Sequence, residues 1–561
     1  MMNAGKYQPG YFSAPGEWTG WVHKDHVEKA PAWCSVDLRD GNQSLVIPMN
    51  LDEKLRFYEM LVRTGFKEIE VGFPAASETE YQFLRTLIER RMIPDDVTVQ
   101  VLTQCREHII RRTFEACKDA PSAIIHFYNS VSRVQREQVF KKSKEEIMKI
   151  AVDGAKLVKK LAAEYPGHFR FEYSPESFTG TEPEYALAVC NAVLDVLEPS
   201  AENNVIINLP VTVEMSMPHV YAAQVEYISS SLKYREYVTL SVHPHNDRGT
   251  GVACTELALL AGAQRVEGTL FGNGERTGNV DLITVALNMY THGVDPHLDF
   301  SDLKEMSRIY EECTRIHVYE RTPYAGALVF AAFSGSHQDA IAKGMKYRRK
   351  KKLSSWNVPY IPIDPADLGR TYDADIIRVN SQSGKGGIGY VLEQVYGYHL
   401  PVQMKEDLSW RCKEISDQAH KELKPDEVMD IFSENYLNIT GDIAVTDFDF
   451  MRENDTVKIN ITFSENGKET EVEAEGNGSL SAISHALQLY TGENYTLQVF
   501  TQHSLQEQGS HSTAVSYIGL QTDENELYWG AGEDPDVIRA STIALLTAYH
   551  NLKDGRERKW A

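Results

Sequence analysis

Between residues 32 and 272 the chain alternates short apolar runs with amphipathic stretches of helical period, eight times over. The runs are AWCSVDL (32–38), EIEVGF (68–73), VTVQVLT (97–103), AIIHFYN (123–129), FRFEYS (169–174), VIINLPV (205–211), VTLSVHPH (238–245) and RVEGTLFG (265–272). Segments such as DEKLRFYEMLVRTG and KEEIMKIAVDGAKLVKKLAAEYPG lie between them, with apolar residues at helical spacing and a closing glycine. Near-continuous apolar strands read as buried on both faces, the condition of a parallel sheet covered by helices. Eight such units are what a closed (β/α)8 TIM barrel requires. A doubly wound open sheet uses the same alternation but does not need a polar residue at the C-terminal end of every strand. Here nearly every strand has one, from Arg39 and Asp40 after the first to Asn273 and Glu275 after the eighth. In a barrel those ends converge on one face, where active sites are built.

SVHPHNDRGTG (241–251) is the strongest local signal on that face. His243 and His245 stand two apart on a strand, so both side chains point to one side. Taken alone, such a pair is more often packed or surface histidine than metal ligand. Its place at the end of strand seven, on the rim that also carries Asp40, favours a divalent-metal site. Two nitrogens with one or more oxygens suit zinc, manganese or iron, and magnesium less obviously.

Other candidates are weaker one by one. GNGERTGN (272–279) opens like a dinucleotide fingerprint, yet no acidic residue follows a new strand about 20 residues on. It reads better as a rim loop whose Gly272 and Gly274 let the backbone approach a ligand, with Asn279 a candidate outer metal ligand. The bland reading is a turn leading to a capped helix. In YSPESFTGTEPEYA, Ser174 and Glu176 face the same way, while Thr179 and Thr181 read as caps of the next helix. Thr212 could hydrogen-bond a carboxylate, and His126 could equally be a satisfied buried histidine. His337 in FSGSHQDAI falls just inside a helix start, as a general base or a cap. The basic run KYRRKKK (346–352) reads as a solvated loop more readily than as a phosphate site, and SGKGG (383–387) wraps a phosphate or simply turns.

Beyond the barrel the rhythm stops. Residues from about 325 to 430 form an intermediate region in which Trp356, Tyr360, Ile361 and Ile363 call for burial. From about 431, strands alternate with polar turns, and one pattern occurs twice: strands, a Gly-x-Gly turn, then a helix. Gly476 and Gly478 match Gly530 and Gly532, so a pseudo-symmetric C-terminal α+β domain is expected. The division is therefore an N-terminal arm (1–30), the barrel (31–325), a mostly helical linker region (326–430) and the doubled domain (431–561).

Composition narrows the partners. A net charge of −23 disfavours nucleic acid and anionic membrane surfaces. No apolar run approaches the ~20 residues that span a bilayer, and no secretory leader is expected. The seven cysteines form no C-x-x-C pair, which suits a reducing cytoplasm and argues against a thiolate zinc site. An acidic protein that handles anions must gather positive charge locally. The aromatic arm (Tyr7, Tyr11, Trp18, Trp21) suggests packing against a partner chain, as in a homodimer.

These residues together resemble the 2-isopropylmalate synthase family, within the superfamily of metal-dependent acyl-CoA Claisen-type barrels. Leu-Arg-Asp-Gly-x-Gln, followed after ten residues by Lys, is matched by Leu38 to Gln43 and Lys54. His-x-His-Asn-Asp-x-Gly-x-Gly is matched by His243 to Gly251. YSPESFTGTEPEYA, GNGERTGN, FSGSHQDAI, VPYIPIDPADLGRTY and VNSQSGKGG are similar to the family's long form. The resemblance implies condensation of acetyl-CoA with 3-methyl-2-oxobutanoate, thioester hydrolysis to 2-isopropylmalate, and feedback by leucine. It implies a divalent cation (Mg2+, Mn2+ or Zn2+) on Asp40, His243, His245 and Asn279, with K+ as a candidate monovalent ion. Arg39 is implied as the cation facing the enolate or alkoxide oxygen, and His126, Ser174 and Thr212 as keto-acid anchors. Glu176 and His337 are implied for proton transfer, with Tyr360 from the same region, and Gly476, Gly478, Gly530 and Gly532 belong to the regulatory unit. Homocitrate or citramalate synthase would run the same apparatus on another 2-oxo acid. A lyase would not need the doubled domain, and that domain could instead be a dimerisation module without a ligand.

Overall fold

The structure is a computed structural model that describes residues 2–331, 335–372, 385–419, 423–453, 456–505 and 512–555. The chain divides into two compact units, Met1–Val329 with Ile363–Arg370, and Phe330–Pro362 with Thr371–Ala561.

Unit one is the expected closed parallel barrel. Its strands are β1 Ala32–Ser35, β2 Glu68–Gly72, β3 Thr98–Gln104, β4 Ala123–Ser130, β5 Phe169–Glu176, β6 Val205–Val211, β7 Val238–Pro244 and β8 Arg265–Gly268. Closure is made by β1 pairing with β8, in the register Ala32 with Arg265 through Ser35 with Gly268. Helices form where the sequence supplies both a period and a start signal. Leu51–Thr64 opens on a capping box of Asn50 and Glu53 and closes on Gly65 at φ 106°. Lys144–Glu164 opens on another, Ser143 with Glu146.

Two strands stop three or more residues short of their apolar runs. β1 stops at Ser35 because the Val36 carbonyl collects the N–H groups of Arg39, Asp40 and Gly41 at 3.2, 2.9 and 3.1 Å, winding Asp37–Gly41 into one wide helical turn. β8 stops at Gly268, where a Cβ would stand 2.7 Å from the Val280 carbonyl of the returning chain. The aromatic arm finds partners on its own barrel. Trp18 packs on Tyr227 with ring centroids 5.6 Å apart, and Lys24 donates to the Leu260 carbonyl at 2.7 Å.

In unit two, the helices Gly335–Lys351, Lys385–Val395, Val402–Ala419 and Pro425–Tyr436 supply the helical region the sequence leads one to expect. The basic run 346–352 is almost wholly the last turns of the first of these helices rather than a loop; its cations lie at the helix's negative end. Ile361 is buried as expected, but Tyr360 is 63% exposed: its backbone turns through φ 63°, carrying the ring outward. Of the SGKGG stretch, Ser383 and Gly384 lie outside the described residues, while Lys385 to Gly387 open the helix Lys385–Val395.

The doubled domain has two three-stranded antiparallel sheets, β9 Ile443–Glu453, β10 Thr456–Glu465 and β11 Lys468–Gly476, then β12 Thr496–Ser504, β13 Ala514–Gln521 and β14 Leu527–Asp534. Each is followed by a helix, Ser479–Thr491 or Val537–Lys553. The second glycine pair is not a turn. Gly530 and Gly532 sit inside β14, where the final helix lies on the strand: a Cβ on Gly530 would meet the Ala544 carbonyl at 2.3 Å, and one on Gly532 the Ala540 carbonyl at 2.1 Å. Both obstacles are backbone atoms, so neither can swing aside. Gly532→Ala should therefore lower the domain's stability by ~1–3 kcal/mol, the range for overpacking. Thermal unfolding of the variant checks this, and an unchanged melting temperature would contradict the close approach.

Candidate active site

Asp40, His243 and His245 meet at the C-terminal mouth of the barrel. His243 Nε2 lies 3.0 Å and His245 Nε2 3.5 Å from Asp40 Oδ2. Asn279 joins them, its Nδ2 2.8 Å from Asp40 Oδ2 and 2.9 Å from His243 Nε2. All four side chains are buried. Burial opposes ionisation of Asp40, yet the Arg39 guanidinium and the two imidazoles hold its carboxyl well below the usual carboxylate range. For His243, burial is outweighed by the carboxylates of Asp40 and Glu267, which push it up to about 9. Burial and the neighbouring His243 bring His245 down to about 4.

A layer below, the barrel interior is polar where this fold usually packs branched apolar side chains. Glu267 accepts from His243 Nδ1 at 2.7 Å, so Nε2 is left facing Asp40. Glu70 accepts from Arg39 Nε and bonds His126 Nδ1 at 2.8 Å. Arg39 reaches Asp40 Oδ1 with Nη1 at 2.8 Å. His126 Nε2 meets Ser174 Oγ at 2.8 Å, and Asn208 Nδ2 donates to the same oxygen at 3.0 Å. Arg265 is fully buried beneath and donates to Glu267 at 2.9 Å. Glu70, His126 and Glu267 are close enough to hold a cation. Donors from Arg39, Arg265 and the Gln100 amide already occupy that space, so the cluster neutralises itself.

Above both layers opens a cavity of about 1140 Å3, lined by Arg39, Asp40, His126, Ser174, Glu176, Thr212, His243 and His245 among others. Glu176 is held at its edge by Ser130, by Ser177 Oγ at 2.9 Å and by Gln135 Nε2 at 3.3 Å. Thr212 Oγ1 accepts the Ser177 N–H at 3.0 Å. Neither Thr179 nor Thr181 caps the following helix. They bond the carbonyls of Val213 and Ser177, and Pro183 opens the helix instead.

The glycines of 272–279 serve the loop itself. A Cβ on Gly274 would fall 1.9 Å from Asn279 Oδ1, so Gly274 leaves the room that Asn279 fills. Gly41 likewise admits the Asn273 amide, whose Nδ2 donates to the Gly41 carbonyl at 3.0 Å. Asp37 turns away from Arg39 and accepts the Leu270 N–H at 3.1 Å and the Ser35 hydroxyl at 2.8 Å. In unit two, His337 lies in the first turn of Gly335–Lys351 and stacks on Tyr360, ring centroids 4.0 Å apart.

Residues 30–309 match the HMGL-like family, 327–393 the family described as alpha-isopropylmalate synthase, post-catalytic domain-like, and 422–553 the LeuA allosteric (dimerisation) domain. The 2-isopropylmalate synthase of Desulfitobacterium hafniense is 56% identical over 552 residues, covering 98% of this chain and 99% of that one. That of Helicobacter hepaticus is 56% identical over 98% of this chain and 100% of its own. The chain belongs to the 2-isopropylmalate synthase family.

Within that family frame, the residues present fit a divalent cation. The two imidazole nitrogens stand 3.0 and 3.5 Å from one carboxylate oxygen, near the ~3.4 Å between tetrahedral donors that each lie ~2.1 Å from an ion, and one donor atom from each of the three residues falls within 4.8 Å of the others. Asn279 Oδ1 is buried with no hydrogen-bond partner among the described residues, and so is His245 Nδ1. Turning the Asn279 amide over would present its oxygen to the same cluster. Sequence reading picked out the rim but passed over Glu70, Gln100, Asn208 and Glu267. Their signal was present as period-two polar residues inside apolar runs, Glu68-x-Glu70 and Arg265-x-Glu267.

Proposed function

We propose that the chain condenses acetyl-CoA with 3-methyl-2-oxobutanoate and hydrolyses the thioester, giving 2-isopropylmalate and free CoA. The observation that carries this reading is the convergence of Asp40, His243 and His245 beside Arg39 in one large cavity. Held there by these three side chains and Asn279, a divalent cation would polarise the oxo-acid carbonyl. The chain's own residues supply the rest. Arg39 is fixed by Glu70 and Asp40, so its charge is aimed before the reaction begins and costs no reorganisation. His126, Ser174 and Thr212 line the cavity as donors for the substrate carboxylate and carbonyl.

The first step moves a proton from the thioester methyl to a base and forms a carbon–carbon bond to the ketone carbon. The new alkoxide takes up a proton, and water then attacks the thioester, releasing CoA as its thiol. Glu176 is our candidate base, because three donors orient it at the cavity edge. His337 and Tyr360, which stack on one another in unit two, are assigned to proton transfer on the family resemblance. Leucine is proposed as the effector of the doubled domain, on the match of residues 422–553 to an allosteric domain.

Release of free CoA should depend on 3-methyl-2-oxobutanoate and vanish when a chelator strips divalent metal. Equal rates with pyruvate or 2-oxoglutarate would sink the substrate assignment. Glu176→Gln should lower kcat by ~10²–10⁴, the usual contribution of a positioned base, with KM for the oxo acid little changed.

A further inference from the structure

Gln100 lies on β3 with its side chain in the barrel interior, fully buried. Its Nε2 donates to Glu70 Oε2 at 2.6 Å and to Glu267 Oε1 at 2.7 Å. Its Oε1 accepts from Arg265 Nη2 at 2.8 Å. One amide therefore joins two carboxylates of like charge that would otherwise repel across the barrel axis. Those carboxylates are not equivalent. Glu267 holds the imidazole of His243, and Glu70 holds the guanidinium of Arg39. Among the described residues, no other side chain donates to both.

We propose that Gln100 is a positioning residue that couples the metal-facing imidazole of His243 to the oxyanion-facing guanidinium of Arg39, by clamping Glu267 and Glu70 at a fixed separation. The inference rests on the reading of Asp40, His243 and His245 as a metal site. Its geometry follows from hydrogen-bond chemistry. A primary amide has two N–H donors diverging from one nitrogen, so it fits two acceptors on either side. Losing it removes the link between the two carboxylates, leaving Glu267 held from one side by Arg265 and Asn208 and Glu70 from the other by Arg39 and His126, so their separation is no longer fixed. Each then drags its partner, the imidazole on one side and the guanidinium on the other. A support that merely stabilised the core would lower the melting temperature and leave the ligand geometry, and so the metal affinity, where it was.

The test uses the full-length protein and Mn2+ alone, with dissociation constants measured by competition with a fluorescent chelator and folding followed by circular dichroism. Gln100→Met should weaken Mn2+ binding ~10–100-fold, the usual cost of removing a partner behind a metal ligand. Glu267→Gln should weaken it by a similar factor. The double variant should lose little beyond the larger single loss, because both act through His243. Gln100→Asn, one methylene shorter and able to reach one carboxylate at a time, should fall between wild type and Gln100→Met; it also serves if the methionine variant fails to fold. Folded Gln100→Met or Gln100→Asn with Mn2+ affinity within twofold of wild type would overturn the proposal, as would full additivity with Glu267→Gln. Failure of the wild-type protein to bind Mn2+ would instead overturn the metal-site reading beneath it.

Discussion

His243→Ala is expected to yield a folded protein that no longer retains divalent metal and no longer releases CoA. Folding survives because each partner that His243 leaves behind keeps other donors. Glu267 still accepts from Arg265 and Gln100, and Asp40 still accepts from Arg39 and Asn279. The stability loss is then that of an ordinary buried polar truncation, ~1–3 kcal/mol. The metal loss is larger than for any outer-layer variant, which costs ~10–100-fold, because a direct donor disappears. Metal content after dialysis, measured against wild type, decides it. Undiminished metal would remove His243 from the ligand set, whatever happened to activity.

Arg39→Lys should keep the charge and lose the catalysis. Arg39 uses two edges of one planar group, Nε toward Glu70 and Nη1 toward Asp40. An ammonium cannot reproduce that fork, so it will pair with one carboxylate and drift from the oxyanion position. A drop in kcat of ~10²–10³ is expected, the loss seen when a preorganised oxyanion donor is removed. Binding of Mn2+ should fall far less than in His243→Ala. Arg39→Ala should in addition destabilise the fold by ~3–5 kcal/mol, since Glu70 would be left as a buried charge with its main cationic partner gone. A lysine variant with kcat within threefold of wild type would show that net charge, and not the planar fork, is what the reaction uses.

Legibility differed by residue for identifiable reasons. The HPH pair could be read because residues two apart in extended chain share a face whatever the rest of the chain does, and this holds although β7 ends at Pro244. Asp40 and Arg39 could be read because the end of a barrel strand is where rim residues go. Glu70, Gln100 and Glu267 could not be placed in the same way. A glutamate inside an apolar strand is ambiguous until the sheet closes and decides which face is interior. The second Gly-x-Gly pair misled for a related reason. Its glycines look like a turn, yet what requires them is a helix backbone lying against β14.

By itself the sequence determined the alternation that makes a barrel, the doubled C-terminal unit and the face shared by His243 and His245. These are local matters of period and propensity. Closure of the barrel, through the pairing of β1 with β8, decided what those residues do. It brought Asp40 and His243, 203 positions apart, to within 3.0 Å. It placed Glu267 behind His243 and Gln100 between Glu267 and Glu70. Which side chain stands behind which across a closed sheet depends on strand order and stagger, and no period within a single strand encodes those.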